Sequence, residues 1–159
     1  MEATSARALA VTAQRARILA MDMVHTAGSG HIGGSLSVMD LLTTLYFHTM
    51  KVDPQHPRDP GRDRFVLSKG HCTPALYAVL ALRGYFPVED CRLFRSIQGH
   101  MSGHPDMRHV PGVDMSTGSL GQGISAAVGM ALAGKLDKAP WRVYAVLGDG
   151  EVGGGQVWE

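Results

Sequence analysis

Four of the eight histidines in this 159-residue chain directly follow a glycine, at His31, His71, His100 and His104. Imidazole is the side chain whose ordinary pKa lies nearest to neutral pH, so it can accept or donate protons during a reaction. An isolated Gly-His pair would more often be a loop residue with a routine hydrogen bond. The repetition of the pair therefore predicts a functional site.

A second chemical signal follows the apolar run Arg142–Leu147, where Gly148-Asp149-Gly150 places a carboxylate at the end of a predicted strand. Open α/β sheets bind ligands at the carboxyl ends of their strands. Glycines let the backbone approach a phosphate group, and an aspartate can hold the metal ion that neutralises it. A strand followed by a plain Asp-Gly turn is at least as common as a strand followed by a ligand site. The motif therefore indicates a site only in combination with the histidines.

The apolar pattern predicts the elements that position these groups. Helices are expected up to Gly28, after an N-cap at Ser37, over 73–82 and after Gly121, the last with an apolar face of Ile124, Ala127, Val128, Ala131 and Leu132. Short strands are expected at Arg64–Leu67 and Arg142–Leu147, and irregular loops at Gly28–Gly34 and Ser96–Ser119.

This order predicts the α/β class, a parallel sheet flanked by helices, in a single domain over residues 1–159. A polar motif follows each strand, so Ser68–His71 and Gly148–Gly150 are expected to meet at the carboxyl edge of the sheet. The loop at Gly118–Gly123 could add backbone N–H groups at the same place.

The composition and charge of the chain limit the classes of partner that can be expected. The net charge of +1 gives no electrostatic reason to expect nucleic acid or a membrane surface. No apolar run approaches the roughly 20 residues that a membrane span needs. The two cysteines, Cys72 and Cys91, lie far apart without metal-like spacing, which indicates reduced thiols and a cytoplasmic protein.

Five motifs together resemble the N-terminal part of transketolases, and the split form, in which this half is a separate subunit, is the most similar. The motifs are Ser29–Ser35, Asp63–His71, Gly103–Asp106, Thr117–Gly123 and Leu147–Glu151. The resemblance implies thiamine diphosphate with Mg²⁺ or Ca²⁺, and transfer of a two-carbon ketol unit from a ketose phosphate to an aldose phosphate. It also implies a C-terminal partner half that binds the pyrimidine ring, in a homo-oligomer or a heterotetramer.

The resemblance also implies roles for individual residues. His31 and His104 would act on the sugar oxygens, where protons must be moved, and Asp149 would bind the metal ion. His100 has no counterpart and is expected to be a bystander. The remaining positions would contact the cofactor, with His71 toward its diphosphate: His71, Gly118, Ser119, Leu120, Gly148, Gly150 and Glu151.

The chain departs from the transketolase pattern at Gly153 and Gly154, which stand where the family usually has Gln-Glu. The family glutamate belongs to a carboxylate network between subunits, so that role has no occupant here. The glycine pair is similar to 1-deoxyxylulose 5-phosphate synthases, the nearest enzymatic alternative. The run Gly118–Gly123 favours transketolase.

The chain ends eight residues after Glu151, so the domain is expected to be incomplete at its C-terminus, without the family's second, Asn-containing metal segment. A metal ion held by Asp149 alone should bind weakly. We expect the isolated polypeptide to self-associate or be marginally stable, to bind thiamine diphosphate poorly and to show no ketol transfer.

Two alternatives come from other functional classes. The spacing of His100, His104 and His109 could ligate zinc, which would make the chain a metal-binding module. The chain could also be a non-catalytic fragment that only binds a partner. Binding of thiamine diphosphate with metal, of zinc, or of neither would separate these alternatives.

Overall fold

The structure is a computed structural model that describes residues 5–159, so residues 1–4 of the predicted domain lie outside it. In chain order its elements are α1 (Ala6–Ala27), α2 (Ile32–Ser37), α3 (Met39–Thr44), a π-helical turn (Leu45–Thr49), β1 (Arg64–Leu67), a 3-10 turn (Gly70–Cys72), α4 (Thr73–Arg83), a 3-10 helix (Val88–Leu93), α5 (Gln122–Leu136), β2 (Val143–Val146), α6 (Asp149–Val152) and α7 (Gly155–Trp158).

Strands β1 and β2 are neighbours and run parallel, with Arg64 opposite Val143 and Leu67 opposite Val146. The connection between them contains α4 and α5, and α5 contacts both strands. This arrangement confirms the predicted α/β class with a parallel sheet and flanking helices. It also confirms that Ser68 and Gly148 meet at one edge, because each follows the paired end of its strand.

Helix α4 is the centre of the core, and its residues Thr73–Ala81 are all buried. It begins as predicted, with Pro74 in its first turn, where the missing N–H of proline costs no helical hydrogen bond. It packs against α1, α2 and α3. Largest among the fully buried side chains are Tyr46, Tyr77, Met23, Met39 and Leu42. The first helix also follows the prediction, since α1 ends at Ala27 with Gly28 as its C-cap.

The predicted N-cap at Ser37 is wrong. Helix α2 begins at Ile32, immediately after His31, and Ser37 is its last residue, with its hydroxyl donating to the Gly34 carbonyl at 3.1 Å. Gly34 is needed for packing, because a Cβ there would lie 2.6 Å from the Cys72 sulfur. Gly34 was interpreted as part of a loop, but it lies inside α2. The loop after α1 is therefore shorter than predicted.

The predicted apolar face of α5 is also wrong, since only Ala127 of its five residues is buried. Val128 and Leu132 are 50% and 57% exposed, while Gly123 and Gly134 are buried. The helix is apolar on nearly every side, so the pattern could not decide which face packs. The face with the small residues is the one that packs, because small residues let the helix approach the sheet closely.

The exposed apolar side of α5 gives the expectation of self-association a structural reason. Val128, Leu132 and Leu136, which are spaced four residues apart on one side of α5, are between 50% and 83% exposed. Contiguous apolar surface of this kind promotes association. In sedimentation velocity, we expect the isolated chain to form dimers or larger species as its concentration rises, and Leu132→Lys to reduce this. Val11→Lys, which changes an exposed apolar residue of α1, is the matched control. Concentration-independent monomers would contradict the prediction.

None of the helices within residues 5–159 combines the length and the apolar character that crossing a lipid bilayer requires.

Candidate functional site

Three of the four glycine-preceded histidines lie close together, and the space between them is called the cleft. His31 precedes α2, His71 lies in the turn after β1, and His104 lies in the irregular loop before α5. The rings of His31 and His71 meet edge to face, with centroids 5.2 Å apart. His104 is close enough for its charge to interact with those of both other rings. Two distant elements and a loop therefore bring together the histidines that the sequence singled out.

The other histidines have different surroundings. His56 pairs with Asp53 at 2.9 Å, and His109 pairs with Asp106 at 2.8 Å. His25 is exposed in the last turn of α1. His100, which was expected to be a bystander, is exposed in the loop before α5.

The surroundings of His71 and His104 favour the neutral form of their imidazoles. Burial, followed by the nearby His31 and Lys69, lowers the pKa of His71 below its ordinary value. Burial, followed by Arg95 and His31, lowers the pKa of His104. A neutral imidazole keeps one nitrogen free to accept a proton or a hydrogen bond. The cluster is therefore suited to proton transfer near neutral pH.

An NMR titration of the histidine rings tests this. We expect His71 and His104 to titrate below about 6.5, the ordinary value for histidine. His56 should titrate above it, because Asp53 raises its pKa. As the pH falls below about 6.5, the unfolded chain gains protons that folded His71 and His104 do not, so these two residues make stability decline in acid. Midpoints at or above that of His56 would contradict the prediction.

A cavity of about 620 Å³ lies beside His104. It is lined by His104, Met115, Ser116, Thr117, Gly118, Ser119, Gln122 and Gly123. Its size lies in the range of small-molecule sites. Thr117 joins this loop to the sheet, since its hydroxyl donates to the Leu67 carbonyl at 2.6 Å. Two of the three predicted cofactor positions in this loop, Gly118 and Ser119, therefore line a cavity next to a predicted catalytic histidine, and Leu120 follows them with 51% exposure.

The loop also depends on Gly70, where a Cβ would lie 2.7 to 2.8 Å from backbone atoms of Thr117 and Gly118. We expect Gly70→Ala to displace these residues and to lower the free energy of unfolding by about 1–3 kcal/mol, as overpacking does. Gly129→Ala is the matched control, because a Cβ there meets nothing within 4 Å and alanine favours a helix. Chemical denaturation measures both. A Gly70→Ala variant as stable as the wild type would contradict this.

The segment after β2 carries two carboxylates that differ in their exposure to solvent. Asp149 is exposed at the start of α6, whereas Glu151 is only 4% exposed. Glu151 accepts hydrogen bonds from the Ser68 hydroxyl at 2.5 Å, the Gly121 N–H at 2.8 Å and the Gly148 N–H at 3.1 Å. Burial alone raises the pKa of the Glu151 carboxyl, but these bonds outweigh it and lower the pKa. Direct contact of Glu151 with a cofactor stays a prediction, and these bonds favour a supporting role.

The exposed carboxylate of Asp149 suits a hard cation. Mg²⁺ is commonly held by one or two carboxylates, with phosphate oxygens and water as its other ligands. Within residues 5–159, no group of three or more His, Cys, Asp and Glu side chains is arranged to hold a metal ion. The hypothesis of a zinc site at His100, His104 and His109 is therefore wrong.

Sequence reasoning missed Arg95, which lies at the edge of the cleft. Its backbone has a φ of 58°, and its guanidinium donates to the Ser29 hydroxyl at 2.9 Å. It also contributes to the lowered pKa of His104. Asp114 was also not predicted from the sequence. It pairs with Arg62 and accepts a hydrogen bond from the Phe65 N–H, which connects the loop before α5 to β1. Neither residue belongs to a motif, so only tertiary structure could reveal it.

Comparison with known proteins agrees with this geometry. Residues 8–157 match the family described as "Transketolase, thiamine diphosphate binding domain". The chain is 53% identical over 143 residues to the 6-deoxy-6-sulfo-D-fructose transketolase subunit of a Clostridium species, covering 90% of this chain and 52% of that subunit. It is 44% identical to an apulose-4-phosphate transketolase subunit of Phocaeicola vulgatus, covering 95% of this chain and 53% of that subunit.

Longer proteins match as well. Human transketolase is 47% identical, with 96% of this chain aligned to 25% of that enzyme. The crystal structure of transketolase from Campylobacter jejuni superposes with a TM-score of 0.90 at 35% identity, over 98% of this chain and 26% of that one. The chain thus spans about half the length of the subunits and a quarter of the longer enzymes.

These relatives support the transketolase interpretation and give no support to the 1-deoxyxylulose 5-phosphate synthase alternative. The matched family, the similar fold and the motifs that meet at one edge of the sheet lead to the same assignment. The chain belongs to the transketolase family, as part of its N-terminal, thiamine diphosphate-binding domain.

Proposed function

We propose that this chain forms the diphosphate side of a thiamine diphosphate site in an enzyme that transfers a two-carbon ketol unit between sugar phosphates. The observation that carries the proposal is the cluster of His31, His71 and His104, of which His104 lines a cavity of about 620 Å³. When bound, thiamine diphosphate supplies the carbon nucleophile and the electron sink that such a transfer needs. The chain supplies binding, orientation and proton movement.

The residues divide by position in this proposal. His31 and His104 hydrogen-bond to sugar hydroxyl groups and move protons on and off their oxygens, a role for which imidazole is the most common side chain. His71 lies deeper, in the turn after β1, and faces the diphosphate. The backbone of Gly118, Ser119 and Leu120 lies along the cofactor.

The segment after β2 serves the anionic end of the cofactor. Gly148 and Gly150 leave room for the diphosphate to approach the backbone, and Asp149 holds Mg²⁺ or Ca²⁺. The metal ion neutralises phosphate charge. The support for this part of the proposal is the exposure of Asp149 at the end of β2, which is paired with the strand that leads to His71.

The active enzyme in this proposal contains a C-terminal half that binds the pyrimidine ring, assembled as a homo-oligomer or a heterotetramer. The two subunits that match this chain at 53% and 44% identity are named as transketolase subunits, which supports a split enzyme. We also propose a cytoplasmic location, supported by two buried, unpaired cysteines, Cys72 and Cys91.

A ketol-transfer assay tests the proposal. The full-length protein that contains these residues is combined with its companion half, thiamine diphosphate and Mg²⁺. The donors should include the two ketoses for which the matching subunits are named, apulose 4-phosphate and 6-deoxy-6-sulfo-D-fructose. They should also include fructose 6-phosphate, which is bound in a similar transketolase structure from Pichia stipitis, and the acceptor should be an aldose phosphate. We expect transfer from at least one donor, dependent on the cofactor. Cofactor-independent turnover, or no transfer with any donor, would contradict the proposal.

A further inference from the structure

Glu151 is a buried carboxylate that receives hydrogen bonds from three separate parts of the chain. Ser68 follows β1, Gly121 precedes α5, and Gly148 follows β2. No other side chain with described hydrogen bonds joins these three segments. The loops to which the three donors belong are the same ones that carry His71, Gly118–Leu120 and Asp149.

The burial of this carboxylate needs an explanation. Removing a carboxylate from water is costly unless it is paired or fully hydrogen-bonded. Among the described residues no ion pair is formed by Glu151, so the three hydrogen bonds must compensate. Both oxygens are engaged, one with Ser68 and Gly121 and the other with Gly148. An engaged, 4% exposed carboxylate has little capacity left for a ligand.

We propose that Glu151 is a positioning residue, which holds the loops after β1, before α5 and after β2 together so that their backbones are arranged for the diphosphate. The inference rests on the proposed function for the identity of the ligand. In this proposal Glu151 acts on the cofactor indirectly, through the backbone of these loops, and does not contact it. In this account, the carboxylate keeps the Gly121 and Gly148 N–H groups satisfied inside the protein, so that neighbouring backbone groups face the cleft.

Hydrogen exchange without cofactor tests the positioning itself. In the full-length protein, Glu151→Gln should make the Gly121 and Gly148 amides exchange about ten- to hundredfold faster. Glutamine offers one neutral oxygen where the carboxylate offers two charged ones, so one amide loses its acceptor and the bond of the other is weakened. A residue that only contacted the cofactor would leave these rates unchanged. Glu89→Gln makes the same chemical change on an exposed side chain and should have no effect. Unchanged rates in Glu151→Gln would overturn the proposal.

Two further variants separate positioning from general stability. Ser68→Ala removes one of the three donors and should speed exchange at Gly121 less than Glu151→Gln does, which keeps the test decisive if the latter fails to fold. Leu42→Ala removes core packing in α3, which is not one of the segments that Glu151 joins. It should lower the melting temperature without selectively exposing Gly121 or Gly148. No change in exchange in Ser68→Ala would count against the proposal.

Calorimetric titration with thiamine diphosphate and Mg²⁺, in the complete enzyme well below its melting temperature, tests the link to the ligand. We expect Glu151→Gln to bind the cofactor at least tenfold more weakly, and Leu42→Ala and Glu89→Gln to bind it normally. If Glu151→Gln loosens the amides but binds the cofactor normally, the positioning role is overturned and the proposed function stands. If the wild type does not bind the cofactor, the proposed function fails, and the positioning role for a diphosphate fails with it.

Discussion

Replacing Asp149 with asparagine should weaken the metal-dependent binding of thiamine diphosphate by about 100-fold or more. Removing a residue that only supports a metal ligand already lowers metal affinity or activity by about 10- to 100-fold. The loss of a carboxylate that binds the metal directly should therefore weaken binding by about 100-fold or more. Asparagine keeps the size of the side chain and removes its charge. Asp149 is exposed, so the substitution should leave the melting temperature nearly unchanged.

Calorimetric titration of the complete enzyme with and without Mg²⁺ measures this effect. Asp137→Asn is the matched control, because Asp137 is also exposed, at the C-cap of α5. It should bind the cofactor as the wild type does. An Asp149→Asn variant that keeps wild-type affinity and metal dependence would remove Asp149 from the metal site.

His104→Ala should lower turnover by about 10²- to 10⁴-fold, the range expected for loss of a group that transfers protons in the transition state. The KM for the sugar substrate should change much less, because the interaction is strongest in the transition state. The reason is the position of His104, beside the cavity and within electrostatic reach of His31.

Steady-state kinetics of the complete enzyme test this prediction. His109→Ala is the matched control, since His109 lies in the same loop but pairs with Asp106 outside the cluster. Its turnover should stay within a few fold of the wild type, roughly the scatter expected for surface substitutions. An unchanged turnover number in His104→Ala would exclude this residue from the mechanism.

The elements predicted well from the sequence are those with one dominant local signal. Strand β1 is a short apolar run between polar residues, and the structure has it at the predicted residues, Arg64–Leu67. Helix α4 has Pro74 at its start and Gly84 after its end, and its predicted range is one residue short. The parallel pairing could also be predicted, because strands separated by helices usually pair in this way.

The errors occur where tertiary contacts decide. Gly34 is small because Cys72 packs against it, although glycine also indicates a loop. The apolar pattern of α5 does not distinguish the face that packs on the sheet from the face of Val128 and Leu132, which is exposed. Both errors come from interpreting a small or apolar residue by its local preference alone.

The candidate site was predictable in its histidines and glycines but not in its supporting residues. The pairing of glycine with histidine in three separate connections between elements is enough to indicate a site. The hydrogen bonds of Glu151 with Ser68 and Gly121, and the contact of Arg95 with Ser29, join residues 30 to 83 positions apart. Periodicity and short motifs contain no information about pairs at such separations.

We propose that the diphosphate of thiamine diphosphate lies between Gly118–Leu120 and Gly148–Gly150 of this chain. A crystal structure of the complete enzyme with thiamine diphosphate and Mg²⁺ tests it most directly. We expect diphosphate oxygens in contact with both segments, Mg²⁺ bound by Asp149, and Glu151 still hydrogen-bonded to Ser68, Gly121 and Gly148. A diphosphate bound away from both segments, or a metal ion without Asp149 as a ligand, would contradict it.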